Sequence, residues 1–125
     1  MKLLIDTHIF VWMTGEPERL SPAAAAAVVH PGNDVFLSAV SVWEIAIKRA
    51  LGRLSFPLER LDAVLAEMGV EVLDLTAAHG IAAGGLPRHH DDPFDRALVA
   101  QARIEGMTLV SADQAVARYD VPVLS

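Results

Sequence analysis

At 125 residues, 53% of them apolar, with no cysteine and a formal net charge of −6, the chain has the size of one domain and enough apolar material for a real core. This composition excludes intrinsic disorder, a disulfide framework and a thiolate metal site. No apolar run approaches a membrane span, and the run in Met1-Lys2-Leu3-Leu4-Ile5-Asp6 is too short for a signal peptide's core, so the chain reads as soluble and cytoplasmic.

Strand and helix signals alternate along the chain. Residues 3–5 form a short apolar strand, and a helix follows over about 8–13, ending near Gly15. Ser21-Pro22 pairs a capping hydroxyl with proline at the first helical position, so the alanine run 23–27 is a helix. Residues 35–37 make a second strand, and the helix after it runs over about 42–51 and stops at Gly52. Phe56-Pro57 opens another helix to about Met68, with Gly69 past its end. A third strand at 70–73 precedes a helix near 77–83, which leads into Gly84-Gly85. Asp92-Pro93 begins a long, largely apolar helix that ends at Gly106. Residues 108–110 are the fourth strand, a short helix covers about 114–118, and Val123-Leu124 close the chain.

Short apolar strands separated by helices predict a single α/β domain over residues 1–125, with a short central parallel sheet between two helical layers. Right-handed crossovers bring the carboxyl ends of all strands to one edge, where ligand sites of open α/β sheets lie.

The acids fall at that edge. Asp6 directly follows the first strand, and Glu44 falls in the first turn of the helix after the second. Asp95 lies in the first turn of the helix opened by Asp92-Pro93, and Asp113 comes just after the fourth strand. Like charges a few ångströms apart repel by ~4 kcal/mol per pair at an effective dielectric of about 20, so such a cluster takes up protons or binds cations. Oxygen-only ligands suit Mg²⁺ or Mn²⁺, which can generate hydroxide from water and offset charge on a phosphodiester.

Each acid also has a structural reading. Ser41-Val42-Trp43-Glu44 matches a capping box, and Glu44 with Lys48 has ordinary i,i+4 pair spacing. Asp92 before Pro93 is a helix cap, with Asp95 favourable to the dipole, and Ser111-Ala112-Asp113-Gln114 is another capping-box pattern. Asp6, ending an apolar strand, has no comparable cap requirement. His89-His90 belong to a solvated or substrate-facing loop, His8 is a packed or hydrogen-bonded residue near the edge, and His30 and His79 carry no signal. Trp12 and Trp43 read as core or rim packing rather than base-stacking platforms. The negative net charge argues against a nucleic-acid partner, but Lys48, Arg49, Arg53, Arg88 and Arg96 lie close in sequence to the acidic motifs.

Taken together, these motifs resemble the PIN domain, and within it the VapC-type toxins. The resemblance rests on Leu4-Ile5-Asp6-Thr7-His8, on Ser38-Ala39-Val40-Ser41-Val42-Trp43-Glu44-Ile45-Ala46-Ile47-Lys48 and on Thr108-Leu109-Val110-Ser111-Ala112-Asp113. His90-Asp91-Asp92-Pro93-Phe94-Asp95-Arg96-Ala97-Leu98-Val99-Ala100-Gln101-Ala102 is its most specific part, and Tyr119-Asp120-Val121-Pro122-Val123-Leu124 is also similar. It implies an endoribonuclease requiring Mg²⁺ or Mn²⁺, a VapB-like antitoxin that occludes the acidic site, and a homodimer. The family's four acids map to Asp6, Glu44, Asp95 and Asp113 as catalytic metal ligands, with Asp92 as an accessory acid. Thr7 and Ser111 match small hydroxyl positions that orient a ligand or metal-bound water, and Lys48, Arg49 and Arg96 are candidates for RNA phosphates. Val116 stands where the family often has an aromatic residue, a departure expected to affect packing more than catalysis.

Two other readings compete. A catalytically silent PIN-like module would bind RNA or protein without cleaving, against which stands the presence of all four acids. A phosphatase or phosphorylated receiver would need a second acid near Asp6, whereas Thr7-His8 follow it.

Overall fold

The strands lie in the order β3-β2-β1-β4-β5, all parallel, in the computed structural model, which describes residues 1–125. They are β1 (Lys2–Ile5), β2 (Asp34–Ser38), β3 (Val70–Leu73), β4 (Thr108–Val110) and β5 (Val123–Leu124). The helices are α1 (Thr7–Gly15), α2 (Pro22–Val29), α3 (Ala39–Ala50), α4 (Leu61–Met68), α5 (Ala77–Gly84) and α6 (Pro93–Glu105). The closing Val123-Leu124 segment is thus a fifth strand, paired with Leu109 and Val110 of β4.

Strand β1 shows why there are two helical layers. Successive side chains of a strand point to opposite faces. Leu3 and Ile5 join one apolar cluster, with Phe10 of α1, Val28 of α2, Ile45 of α3 and Leu65 of α4. Leu4 joins the other, with Leu98, Val99 and Ala102 of α6 and Leu109 of β4. All three β1 side chains are fully buried, each contributing about 2 kcal/mol of apolar burial. The continuous Leu-Leu-Ile run is what a strand buried on both faces requires.

Local chemistry sets the helix ends. Ser21 accepts from the Ala24 amide, and α6 has Asp92 as its cap and Pro93 in its first turn. Gly69 and Gly106 end α4 and α6 at φ of 66° and 67°, in the left-handed region that costs other residues about 1–2 kcal/mol.

Three expectations need correction. Helix α3 starts at Ala39, not near 42, because Ser38 rather than Ser41 is its cap: Ser38 Oγ accepts from the Val40 amide at 3.0 Å. The Ser41–Glu44 capping box does not form, and Glu44 stands in the second turn. The expected helix from Phe56-Pro57 is instead a 3₁₀ turn, Leu58–Arg60, followed by α4. The short helix near 114–118 is only a 3₁₀ turn at Val116–Arg118.

Candidate active site

The chain winds outward from β1 through β2 to β3, then returns to place β4 on the other side of β1. That reversal makes the carboxyl ends of β1 and β4 a topological switch point, where the loops part and leave a crevice. The Asp6 amide donates to Val110 O at 3.0 Å across this point, so the segments after the two strands start side by side. A cavity of about 410 Å³ opens there, lined by Asp6, His8, Trp12, Arg19, Ala112 and Asp113. A larger cavity of about 650 Å³ beside α5 and α6 carries no acid among its lining residues, so chemistry favours the smaller one.

Asp6 is 6% exposed, and its Oδ1 accepts from the Ile9 amide at 2.8 Å. It therefore does cap a helix, contrary to the expectation from sequence, because α1 begins directly behind the strand with Thr7. Burial raises the Asp6 carboxyl above its ordinary value, and the charge of Asp113 adds to that. The Ser111 hydroxyl, the Ile9 amide and His8 pull in the opposite direction without overcoming burial.

Asp95, in the first turn of α6, is pushed from its ordinary 3.8 up to about 6. Burial is again the main cause, with the charges of Asp92 and Asp113 adding to it and His90 opposing. Three acids from the carboxyl ends of β1 and β4 and the start of α6 are thus in electrostatic contact. Asp92 caps α6, its Oδ1 accepting from the Phe94 and Asp95 amides at 2.9 and 3.1 Å. Asp113 is exposed, and its Oδ1 accepts from the Ala115 amide at 2.9 Å. The Ser111–Gln114 capping box is absent; Ser111 Oγ instead accepts from the Asp113 amide at 3.1 Å, which ties the loop back.

Glu44 reaches this group through Thr7. It is buried, with the Thr7 hydroxyl donating to Oε1 at 2.6 Å and Lys48 Nζ donating to Oε2 at 2.7 Å. Thr7 Oγ1 also lies 3.0 Å from Ser41 Oγ. The i,i+4 pair expected of Glu44 and Lys48 is present, while Thr7 joins Glu44 to the residue beside Asp6.

The expected phosphate contacts fare unequally. Lys48 keeps its side chain 35% exposed and stands at the Glu44 end of the cluster. Arg49 is not brought to the acids: helix α3 leaves the switch-point edge at its N-terminus, and Arg49 lies about 15 Å along it, paired with Glu59 at 3.0 Å. Arg96 is buried, and its guanidinium donates to the carbonyls of Pro87, Ala83 and Leu86 at 2.9, 3.0 and 3.1 Å and to Tyr119 at 3.2 Å. Four of its five N–H donors are thus taken within the protein, and none of these four is free for a phosphate.

Tyr119 and Arg19 carry no site role from the sequence, and His90, expected in a solvated or substrate-facing loop, is turned toward the acids. His90 Nε2 lies 3.2 Å from Asp95 Oδ2, and His90 Nδ1 lies 2.8 Å from the Tyr119 hydroxyl. Arg19, 4.7 Å over the Trp12 ring, lines the cavity beside Asp6 and is the cation best placed there for a phosphate. Only its place one turn beyond the first helix could have marked it. His8 is exposed rather than packed, 6.1 Å from the Trp12 ring, and Trp43, 62% exposed, meets Phe94 edge-on at the rim.

Buried Asp6 and partly buried Asp95, both raised by desolvation, with the exposed Asp113 at an open crevice fit a hard divalent cation. No three carboxylates or imidazoles stand close enough to form a closed metal cage. Mg²⁺ does not need one, because it keeps several waters and is held through one or two carboxylates together with substrate phosphates.

A sequence profile of the PIN domain matches residues 3–122, and the chain belongs to the PIN domain family. Within it, the chain resembles the VapC type: it is 31% identical over 123 residues to Ribonuclease VapC22 of Mycobacterium tuberculosis (strain ATCC 25618 / H37Rv), covering 96% of this chain and 93% of that protein. Solved structures share the fold. The VapBC2 structure from Rickettsia felis, bound to a DNA fragment from its promoter, superposes with a TM-score of 0.74 at 16% identity, covering 99% of this chain and 98% of that one. FitAcB from Neisseria gonorrhoeae gives 0.66 at 21% identity, covering 98% and 96%. No helix is long and apolar enough to cross a membrane.

Proposed function

We propose that this chain is a VapC-type endoribonuclease toxin that uses Mg²⁺ or Mn²⁺ and is neutralised by a VapB-like antitoxin. The observation that carries the reading is the meeting of Asp6, Asp95 and Asp113 at the switch point, two of them held by burial against ionisation. The 31% identity to a ribonuclease and the VapBC complexes among the structural neighbours support it. Cytoplasmic location and a homodimer belong to the same proposal.

Asp6, Asp95 and Asp113 would hold the ion, directly or through its waters, with Glu44 and Asp92 at the margin. The bound ion supplies a Lewis acid that makes water acidic and offsets charge developing on the phosphodiester. The protein does the rest. Burial of Asp6 and Asp95 makes each carboxylate favour a cation over solvent. Thr7 holds Glu44 by one oxygen and Lys48 holds the other, so Glu44 is orientated before substrate arrives. Arg19 lines the crevice, and Lys48, partly exposed beside Glu44, is the second cation for a phosphate contact.

The test is cleavage of total RNA by partner-free protein, with Mg²⁺ or Mn²⁺, with EDTA, and with Asp6→Asn. Asparagine caps a helix about as well as aspartate, so the variant keeps its fold while losing a charged ligand. Discrete fragments that vanish with EDTA and with Asp6→Asn are expected. A folded Asp6→Asn protein that cleaves as wild type does would overturn the assignment.

A further inference from the structure

The loop before α6 and the turn before β5 meet behind Asp95 in a chain of hydrogen bonds whose direction is dictated by its far end. Arg96 has donors only, so Tyr119 Oη must accept from it, at 3.2 Å. The single hydroxyl hydrogen of Tyr119 is then free to go elsewhere. His90 Nδ1 stands 2.8 Å away, while the carbonyl of His90, at 3.5 Å, is the poorer acceptor. A hydroxyl donating to Nδ1 leaves the ring hydrogen on Nε2, and Nε2 faces Asp95 Oδ2 at 3.2 Å.

We infer that Tyr119, orientated by the buried Arg96, is a positioning residue that fixes His90 as its Nε2–H tautomer and through it sets the orientation of the Asp95 carboxylate. The far end of this chain of contacts is closed to solvent, while the His90 and Asp95 side chains are each 19% exposed. Tyr119 is 4% exposed and Arg96 is 9% exposed, and the guanidinium is itself anchored by three carbonyls. His89 packs edge-on against the Tyr119 ring at 4.8 Å, a further restraint on it. Asp95 consequently keeps one oxygen engaged by His90 and presents the other. An imidazole that orders a ligating carboxylate from behind acts on affinity without touching substrate.

The metal-affinity part of this inference rests on the proposed function; the tautomer part does not. Long-range ¹H–¹⁵N spectra of labelled protein, with Mn²⁺ titrations followed by electron paramagnetic resonance, separate them. The Nε2–H pattern is expected for His90 in wild type and its loss in Tyr119→Phe, with Mn²⁺ affinity falling about tenfold. His90→Gln, whose amide N–H can stand where Nε2–H did, should retain most of the affinity that His90→Ala loses. A Nδ1–H or doubly protonated His90 in the wild type, or an unchanged His90 signature in Tyr119→Phe, would overturn the inference. So would unchanged Mn²⁺ affinity in both Tyr119→Phe and His90→Ala. Should wild type bind no Mn²⁺ and cleave no RNA, the functional proposal fails, and the tautomer spectra still decide the hydrogen-bond chain.

Discussion

Replacing Asp95 with asparagine should stabilise the metal-free protein at neutral pH and do nothing for it in acid. Asp95 loses its proton at about 6 in the fold, against an ordinary value of 3.8. Between these values the native state holds a proton that the unfolded chain has released, so stability falls as pH rises through this window. Below about pH 4 both states are protonated and the penalty is absent; above about pH 6 it is complete. The interval of about two tenfold steps is worth ~3 kcal/mol, and partial solvent access reduces that to roughly 1.5 kcal/mol. The Asp95→Asn side chain escapes the penalty and keeps an oxygen for His90, giving up only the favourable dipole contribution of a first-turn acid, about 0.5 kcal/mol. Net stabilisation of about 1 kcal/mol is expected at pH 7.5. Urea unfolding in EDTA, followed by circular dichroism from pH 3.5 to 7.5, measures it. Adding Mg²⁺ should raise the midpoint of wild type and leave that of Asp95→Asn nearly unchanged. A variant less stable than wild type at pH 7.5, or a difference that does not vary with pH, would refute the reasoning.

Two further substitutions probe the frame around the acids. Thr7→Val keeps the shape of a buried side chain but removes the donor 2.6 Å from Glu44 Oε1; a loss of about 1.5–3 kcal/mol in urea is expected, with slower RNA cleavage. Unchanged stability would show that Glu44 finds another partner. Arg96→Met leaves the carbonyls of Ala83, Leu86 and Pro87 and the Tyr119 hydroxyl without their donor and should cost about 3 kcal/mol. The salt dependence of RNA binding should stay as it was, measured on the Asp6→Asn background, and a shallower slope would reinstate Arg96 as a phosphate contact.

The first four strands and the long helix α6 are legible in the sequence because their signals are local: short apolar runs, and Asp-Pro at one end with glycine at the other. Two-residue β5 is too short to show one. The start of α3 is not. Ser38 and Ser41 can each cap a helix, and the choice falls to Ser38 because the pairing of β2 with β3 ends there, opposite Leu73. The acids can be picked out by their places after strands, since parallel topology turns such places into neighbours. Their partners cannot: Tyr119 meets His90 from 29 residues away, and no local pattern marks that meeting. Arg96 misleads for a related reason. A guanidinium that fills a loop's carbonyls and one that waits for a phosphate look alike until the loop is folded.

The central place of β1 also bears on how the molecule comes into being. This strand precedes β2 and β3 in the chain, yet one of its two flanking neighbours, β4, follows both of them. Asp6 and Asp113 are 107 positions apart (113 − 6). Contacts so distant in sequence close late, after the entropy of the long intervening loop has been overcome. A nascent chain holding only β1 to β3 carries Asp6 with neither Asp95 nor Asp113 beside it and leaves one edge of β1 unpaired. The crevice and its charges are therefore complete only once β4 has taken its place against β1 and α6 lies beside them.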